Sequence, residues 1–131
     1  MKLWIGAETQ ADVFDLFRAV RSDVQKDINS AIELRTYEIG VESWDCIVIL
    51  RSDNDFKEIF KFSKARRDMD FRLQLDYEKF VAADDRERRR LLFELLLRSL
   101  SMLKSKGGNE KEIERLMNNV RGVGESQGWI P

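Results

Sequence analysis

The sequence predicts an α+β fold, with an N-terminal strand and helix, an antiparallel β-meander, and then two C-terminal helices packed on the sheet. Two observations predict it. Apolar residues recur at helical spacing near the start and over the last third of the chain, but alternate with a period of two between about residues 36 and 77. The predicted strands also follow one another as a run before the last helices, which is typical of the α+β class.

The stretch from Asp84 to Lys106 is the predicted centre of the core. At about 100° per residue, its apolar side chains cover an arc of roughly 240°, against the roughly 100° that a surface helix needs. Ser99 is the one polar residue inside that arc. Asp84 suits the N-cap, and Gly107-Gly108 are expected to end the helix. We therefore expect this helix to be covered on more than one side, by the sheet and by another helix.

The N-terminal region predicts one strand and one amphipathic helix. Lys2–Ile5 is the predicted strand, and Thr9 with Asp12 has the spacing of a capping box at the start of the helix. From there to about Ile32 the apolar side chains fall on one face, with an acidic face opposite. This pattern predicts a helix that packs onto the sheet or the central helix through a single side.

Four segments predict the meander. Three of them alternate polar and apolar residues, and the second is apolar on both faces, so we expect that strand to be central. Cys46, the only cysteine, lies in it and is expected to be a small buried hydrophobe. The four segments are Tyr37–Val41, Trp44–Leu50, Phe56–Ser63 and Met69–Tyr77.

The C-terminal part predicts one further helix and a tail. Asn109 can cap a helix from Glu110 to about Arg121. The remaining segment 122–131 holds three glycines and the only proline, so a flexible tail is expected, with Trp129 docking back on the body. The chain of 131 residues is expected to form a single domain.

The composition argues against an enzyme and against several other classes of protein. There is no histidine, which removes the commonest general base and metal ligand. No apolar run approaches the roughly 20 residues that span a bilayer. With no export signal and one cysteine, the cytoplasm is the expected compartment. A glycine-rich phosphate loop and a metal-ligand cluster are both missing from the sequence, so we predict no cofactor and no metal site.

Acidic residues near the predicted hairpins could surround an aromatic anchor. Such an acidic hairpin patch would suit a basic protein partner, through long-range steering and ion pairs. The alternative is a core tryptophan with ordinary polar hairpins. The patch consists of Glu38, Glu42, Trp44, Asp45, Asp53 and Asp55.

A basic cluster is the best signal for nucleic-acid binding. Acidic residues are interleaved with it, and the net charge of the chain is −1, so a solvated or ion-paired role is the favoured interpretation. Nucleic acid is therefore an unlikely partner in this prediction. The cluster consists of Arg66 and Arg67 together with Arg86, Arg88, Arg89 and Arg90.

Two stretches resemble a known class of protein. One is IGAETQADVFDLFRAVRSDVQKDIN, and the other is LDYEKFVAADDRERRRLLFELLLRSLSML, which includes Tyr77 and Phe80. Together they resemble small α+β immunity proteins encoded beside bacterial polymorphic toxins, including those of contact-dependent growth inhibition. The resemblance implies a non-catalytic cytoplasmic protein that binds the C-terminal domain of one cognate toxin. It implies no particular site residues.

Three hypotheses follow. The first is a toxin-neutralising immunity protein that occludes its partner, a nuclease, with the acidic hairpin patch as the contact. The second is a nucleic-acid-binding module that uses the arginine cluster. The third is a carboxylate-dependent hydrolase, which requires two acids in one concave pocket with separated pKa values. A free sheet edge would also permit a homo-oligomer.

Overall fold

The computed structural model describes residues 1–106 and 109–130, so the predicted helix stop at Gly107-Gly108 lies outside the described residues. The α+β class is confirmed. The elements are β1 (Lys2–Glu8), α1 (Ala11–Ile32), β2 (Ser43–Leu50), β3 (Ile59–Ser63), β4 (Asp68–Leu75), α2 (Tyr77–Ala82), α3 (Asp85–Ser105) and α4 (Glu110–Gln127).

The four strands form one mixed sheet in the order β1-β2-β4-β3. β1 is parallel to β2, β2 is parallel to β4, and only β3 and β4 pair antiparallel. The prediction of an antiparallel meander is therefore wrong. Helix α1 returns the chain to the same end of the sheet before β2, and β4 inserts between β2 and β3. β3 has no fully buried residue, which suits an edge strand, whereas β2 and β4 bury alternate side chains.

The predicted strand Tyr37–Val41 is instead a turn-rich connection between α1 and β2. Its alternating pattern has another cause: Tyr37 and Val41 are buried, while the residues between them are more exposed. The Tyr37 hydroxyl accepts a hydrogen bond of 2.6 Å from Asn119 Nδ2 on α4. Gly40 has a φ of 88°, which breaks the extended backbone of a strand.

Helices α1 and α3 cover one face of the sheet, and α4 packs against both of them. The expectation that α3 is covered on several sides is confirmed. Trp44 on β2 donates from Nε1 to Ser99 Oγ of α3 at 3.1 Å, and Ser99 in turn donates to the Leu96 carbonyl at 2.6 Å. On another side of α3, the Phe93 ring centroid lies 5.6 Å from that of Trp129. The one polar residue in the apolar arc thus has both hydrogen bonds satisfied.

The predicted caps are confirmed at two helices and wrong at one. Asp84 accepts from Glu87 N at 2.8 Å, and Asn109 accepts from Glu112 N at 3.3 Å. At α1 the N-cap position is Gln10, with no side-chain cap. Thr9 Oγ1 is buried without a hydrogen-bond partner, so it does not form the predicted capping box.

The outer edge of β1 is bonded to side chains of α1. Asn29 accepts from Leu3 N at 2.7 Å through Oδ1 and donates to Leu3 O at 2.9 Å through Nδ2. Gln25 Oε1 accepts from Ile5 N at 2.8 Å. The two amides therefore satisfy edge groups that a neighbouring strand would otherwise satisfy.

The C-terminal segment is mostly helical, so the prediction of a tail over 122–131 is wrong. α4 continues to Gln127, and both Gly122 and Gly124 lie within its hydrogen-bonded turns. Gly128 ends it with a φ of 76°, and Trp129 N donates to the Gly124 carbonyl at 2.8 Å. Trp129 is buried, which confirms that it docks back on the body.

Candidate functional site

Among the described helices none covers the second face of the sheet, and we call that face the open face. Its residues alternate along each strand with the buried side chains that contact the helices. Strand register therefore determines which of them are neighbours. Its members are Lys2, Trp4, Gly6 and Glu8 on β1, Ser43, Asp45, Ile47 and Ile49 on β2, Asp68, Asp70, Arg72 and Gln74 on β4, and Ile59, Lys61 and Ser63 on β3.

Three carboxylates of the open face form a cluster, the acidic triad of Asp45, Asp68 and Asp70. Asp45 lies directly across from Asp70 in the parallel register, and each residue offers an oxygen within 4.8 Å of the others. Ser43 Oγ donates to Asp45 Oδ2 at 3.2 Å. Asp68 Oδ1 has no hydrogen-bond partner among the described residues, although it is screened from solvent. Oxygen donors this close could also hold a hard divalent cation.

The environment of the acidic triad disfavours the ionised form of Asp45. Partial burial, followed by the negative charges of Asp70 and Asp68, raises the pKa of the Asp45 carboxyl above its usual range. A positively charged group placed among the three carboxylates would oppose this shift. The triad therefore has the electrostatics of a cation acceptor.

Trp4 stands beside the acidic triad as an exposed aromatic ring. It pairs in register with Asp45, and 51% of its surface is exposed. Lys2 Nζ lies 4.7 Å from the centre of its ring. Tryptophan side chains are mostly buried, and tryptophan is enriched among the residues that dominate protein interfaces.

A groove of about 790 Å³ crosses the open face between β2 and β3. Asp45 and Asp70 line it together with the aliphatic side chains of Ile47 and Ile59. Lys61, Arg66 and Arg72 also line it, and Arg72 Nη1 bonds Glu8 Oε1 at 3.2 Å, so the Arg72 guanidinium is directed toward β1. The groove thus combines apolar side chains with charges of both signs, and its acidic part consists of Asp45 and Asp70.

The acidic hairpin patch is not a single surface. Trp44 is fully buried against α3, so it offers no exposed ring, and the alternative of a core tryptophan is what the structure shows. The Trp44 ring can be buried against the apolar side of α3 because Ser99 supplies the acceptor that the indole N–H needs.

The acids of that patch lie at three separate places. Glu42 precedes β2 and pairs with Arg67, whereas Asp53 and Asp55 follow β2, whose eight residues rise about 25 Å. Asp53 bonds Arg51 at 2.8 Å, and the backbone of Glu38 bonds Glu112 of α4. Only Asp45 of the predicted residues belongs to the acidic triad.

Asp68, Asp70 and Trp4 were missed by sequence reasoning, although a signal for the two acids existed. Asp68 and Asp70 are the polar alternates of Met69 and Phe71, whereas Trp4 lies on the same face of the sheet but within an apolar run of the sequence. What the pattern could not supply was the pairing of β4 with β2, which places the three carboxylates together.

The arginine cluster is also divided, and much of it is ion-paired within the chain. Arg88 bonds Asp85 and the Val81 carbonyl, and Arg89 bonds Asp23 at 2.9 Å. Arg90 bonds both Glu87 and Glu94. Arg66 and Arg67 precede β4, whereas the others follow it beyond α2. The structure therefore does not bring the cluster together as one basic surface.

Comparison with protein families decides the class. The model of the family described as immunity protein 44 matches residues 1–126. The chain belongs to this family of immunity proteins. That membership confirms the resemblance to toxin-system immunity proteins and supports a toxin-neutralising function. No curated protein and no solved structure matches the chain. Among the described helices, none is both long and apolar enough to span a bilayer.

Proposed function

We propose that this immunity protein binds the C-terminal domain of one cognate toxin in the cytoplasm and blocks it by steric occlusion. The observation that carries the proposal is the family match across residues 1–126. An immunity protein must keep its partner inactive, and a tightly bound protein does so by covering an active site or a substrate surface. No chemistry by the chain itself is needed for this role.

A nuclease is the toxin class that the charge distribution favours. Nucleases bind the phosphate backbone through basic side chains, so the surface that an inhibitor must cover is positively charged. The acidic triad offers three carboxylates close together on an open sheet face. Opposite charge at such an interface accelerates association and selects the partner.

A carboxylate-dependent hydrolase remains the second candidate, because one observation favours it. Asp45 and Asp70 line the same groove, and the pKa of Asp45 is raised, as a general acid would require. Burial and the neighbouring charges explain that shift without catalysis. If the chain were catalytic, Asp45→Asn would abolish protection while leaving toxin affinity unchanged.

The decisive experiment is a pull-down with the tagged chain and the toxin encoded beside its gene, paired with a growth-rescue assay. We expect stable capture of the toxin domain and rescue of cells that express it. An unrelated toxin domain serves as the control and should be neither captured nor neutralised. Rescue without any capture would contradict inhibition by binding and would favour the hydrolase.

The toxin class is tested separately with the captured domain. A nuclease should degrade DNA or RNA in vitro, and a stoichiometric amount of the immunity protein should stop the degradation. A captured toxin that leaves nucleic acid intact would overturn the nuclease assignment, whereas the binding function would stand.

A further inference from the structure

We propose that the open face is the toxin-docking surface, and that it takes a basic segment of the toxin whose lysine or arginine enters the acidic triad beside Trp4. This inference rests on the proposed function and deepens it by naming the surface and the chemistry of the partner. Four features of the molecule support it: the exposure of Trp4, the carboxylates of the triad that form no ion pair, the lining of the groove, and the bonds already made at the neighbouring surfaces.

Trp4 is in the right place to be an aromatic anchor. Half of its surface is exposed, whereas Trp44 on the next strand is fully buried. Tryptophan is among the residues that most often dominate the affinity of an interface. Its face already attracts the ammonium of Lys2 at 4.7 Å, so the ring is placed to accept a cation from a partner as well.

The three carboxylates of the acidic triad are not held in ion pairs, although Lys61 lies directly across from Asp70 in the register of β3 and β4. Among the ion pairs of residues 1–106 and 109–130, none includes Asp45, Asp68 or Asp70. Arg72 stands next to Asp70 on the open face but pairs with Glu8 instead. A guanidinium has five N–H donors, enough to bond two carboxylates and the unpartnered Asp68 Oδ1 at once.

The groove next to the triad provides apolar contact for the rest of the segment. Ile47 and Ile59 line it, and 38% of Ile59 is exposed. An extended basic segment that alternates cationic and apolar side chains would place charge on the triad and apolar groups between β2 and β3. This combination of an apolar centre and charged surroundings is the composition of specific protein interfaces.

Neighbouring surfaces are less available. Asn29 and Gln25 already occupy backbone groups at the outer edge of β1, so a partner strand cannot simply add there. On the helical side, Arg89 and Asp23 neutralise each other between α3 and α1. The open face thus joins carboxylates without ion pairs to an exposed aromatic ring and an exposed aliphatic side chain.

The test measures the affinity of the captured toxin domain for three purified variants. We expect Asp70→Lys to weaken binding by at least about thirtyfold, because it places a cation where the partner's cation sits. Trp4→Ala should weaken binding by at least about tenfold. Asp55→Lys is the matched control: it makes the same change in charge on an exposed loop away from the triad, and should change affinity by less than about threefold.

The outcomes separate the surface from the function. If the unmodified chain binds the toxin and both Asp70→Lys and Trp4→Ala bind equally well, the open face is not the docking surface, and the proposed function stands. If Asp55→Lys weakens binding as much as Asp70→Lys, only overall charge matters, and the inference is overturned. Circular dichroism checks folding; should Asp70→Lys not fold, Asp70→Asn together with Trp4→Ala carries the test. A failure of the unmodified chain to bind overturns the proposed function itself.

Discussion

The two faces of the sheet are made by the same four strands and have opposite characters. On the covered face Trp44 is fully buried, and its indole N–H is bonded to Ser99. On the open face Trp4 keeps half of its surface exposed, and Asp68 Oδ1 has no partner. The same residue type, on adjacent strands, therefore stabilises the fold at one position and is free for contact at the other.

The comparison shows where substitutions should act on stability and where they should act on binding. The covered side is closely packed and has its polar groups satisfied, so changes there should destabilise the fold. The open face already contains unfavourable electrostatics, so removing its charges should leave the fold intact. Four pairs of variants test this contrast.

The largest effect is expected at the two tryptophans. Trp44→Ala removes a fully buried side chain and its hydrogen bond, and should lower the free energy of unfolding by about 3–5 kcal/mol. Trp4→Ala should lower it by less than about 1 kcal/mol, because half of that ring is in water. Urea unfolding followed by circular dichroism measures both. Equal losses would contradict the contrast between the faces.

The second pair tests packing behind the covered face, at two glycines of α4. A Cβ at Gly124 would lie 2.3 Å from Phe93 Cε1, whereas one at Gly122 meets nothing within 4 Å. Gly124→Ala should therefore destabilise the protein by about 1–3 kcal/mol. Gly122→Ala should stabilise it by up to about 1 kcal/mol, because alanine favours a helix interior. Thermal melts measure the stability of both variants. Melting temperatures that shift in the same direction would contradict this packing.

The third pair tests the bonds that α1 makes to the edge of β1. Asn29→Ala removes one acceptor and one donor from the Leu3 backbone and should lower the free energy of unfolding by about 1–2 kcal/mol. The neighbouring Ser30 is exposed, so Ser30→Ala should change it by less than about 0.5 kcal/mol. Hydrogen exchange should also show faster exchange of the Leu3 amide in Asn29→Ala. Unchanged exchange there would mean that the side chain does not protect the edge.

The smallest effect on stability is expected at two acids, Asp45 and Asp53, whose pKa values are shifted in opposite directions. The pKa of Asp45 is raised, so its ionisation disfavours the folded state above that pKa, and the penalty disappears as the pH falls below the unfolded value. Asp45→Asn should stabilise the protein at pH 7, by less than about 1 kcal/mol because the carboxyl is only partly buried. The gain should vanish toward about pH 3 to 4, where the unfolded carboxyl is protonated too.

Asp53 provides the comparison of opposite sign. The hydrogen bond from Arg51 lowers the pKa of Asp53, so its ionised form favours the folded state at neutral pH, and that contribution is lost as the pH falls. Asp53→Asn should therefore be slightly less stable than the unmodified chain at pH 7. Urea unfolding midpoints at pH 7 and at about pH 3 to 4 check the two variants. A stabilising Asp53→Asn, or a destabilising Asp45→Asn, would contradict the assignment.

Local signals predicted helices α1 and α3 well, but they did not predict α2, and they ended α4 at about Arg121 instead of Gln127. The broad apolar arc of α3 and the Asp84 cap both follow from side chains within a few turns of one another. The connection that contains Tyr37 and Gly40 was wrongly predicted as a strand, because a loop in which every second side chain is buried or partly buried has the same period as a strand.

Long-range pairing is what local signals could not supply. A period of two identifies a strand and its two faces, but not the neighbouring strand or its direction. The parallel pairing of β2 with β4 joins Asp45 to Asp70, and the bond from Trp44 to Ser99 links residues 55 positions apart. Both facts depend on the assembled core, so the candidate site emerged only in part from the sequence: Asp45 was named, whereas Trp4, Asp68 and Asp70 were not.

The amides of Asn29 and Gln25 also limit how copies of this chain could associate. They bond the backbone of Leu3 and Ile5 at the β1 edge, and β3, at the opposite end, is the other edge in the part of the chain that the structure describes. A strand from another copy would therefore add more readily at β3 than at β1. Two copies could join through β3, but neither would then present a strand for a third. Self-association by edge pairing would thus stop at a dimer instead of growing into a fibre.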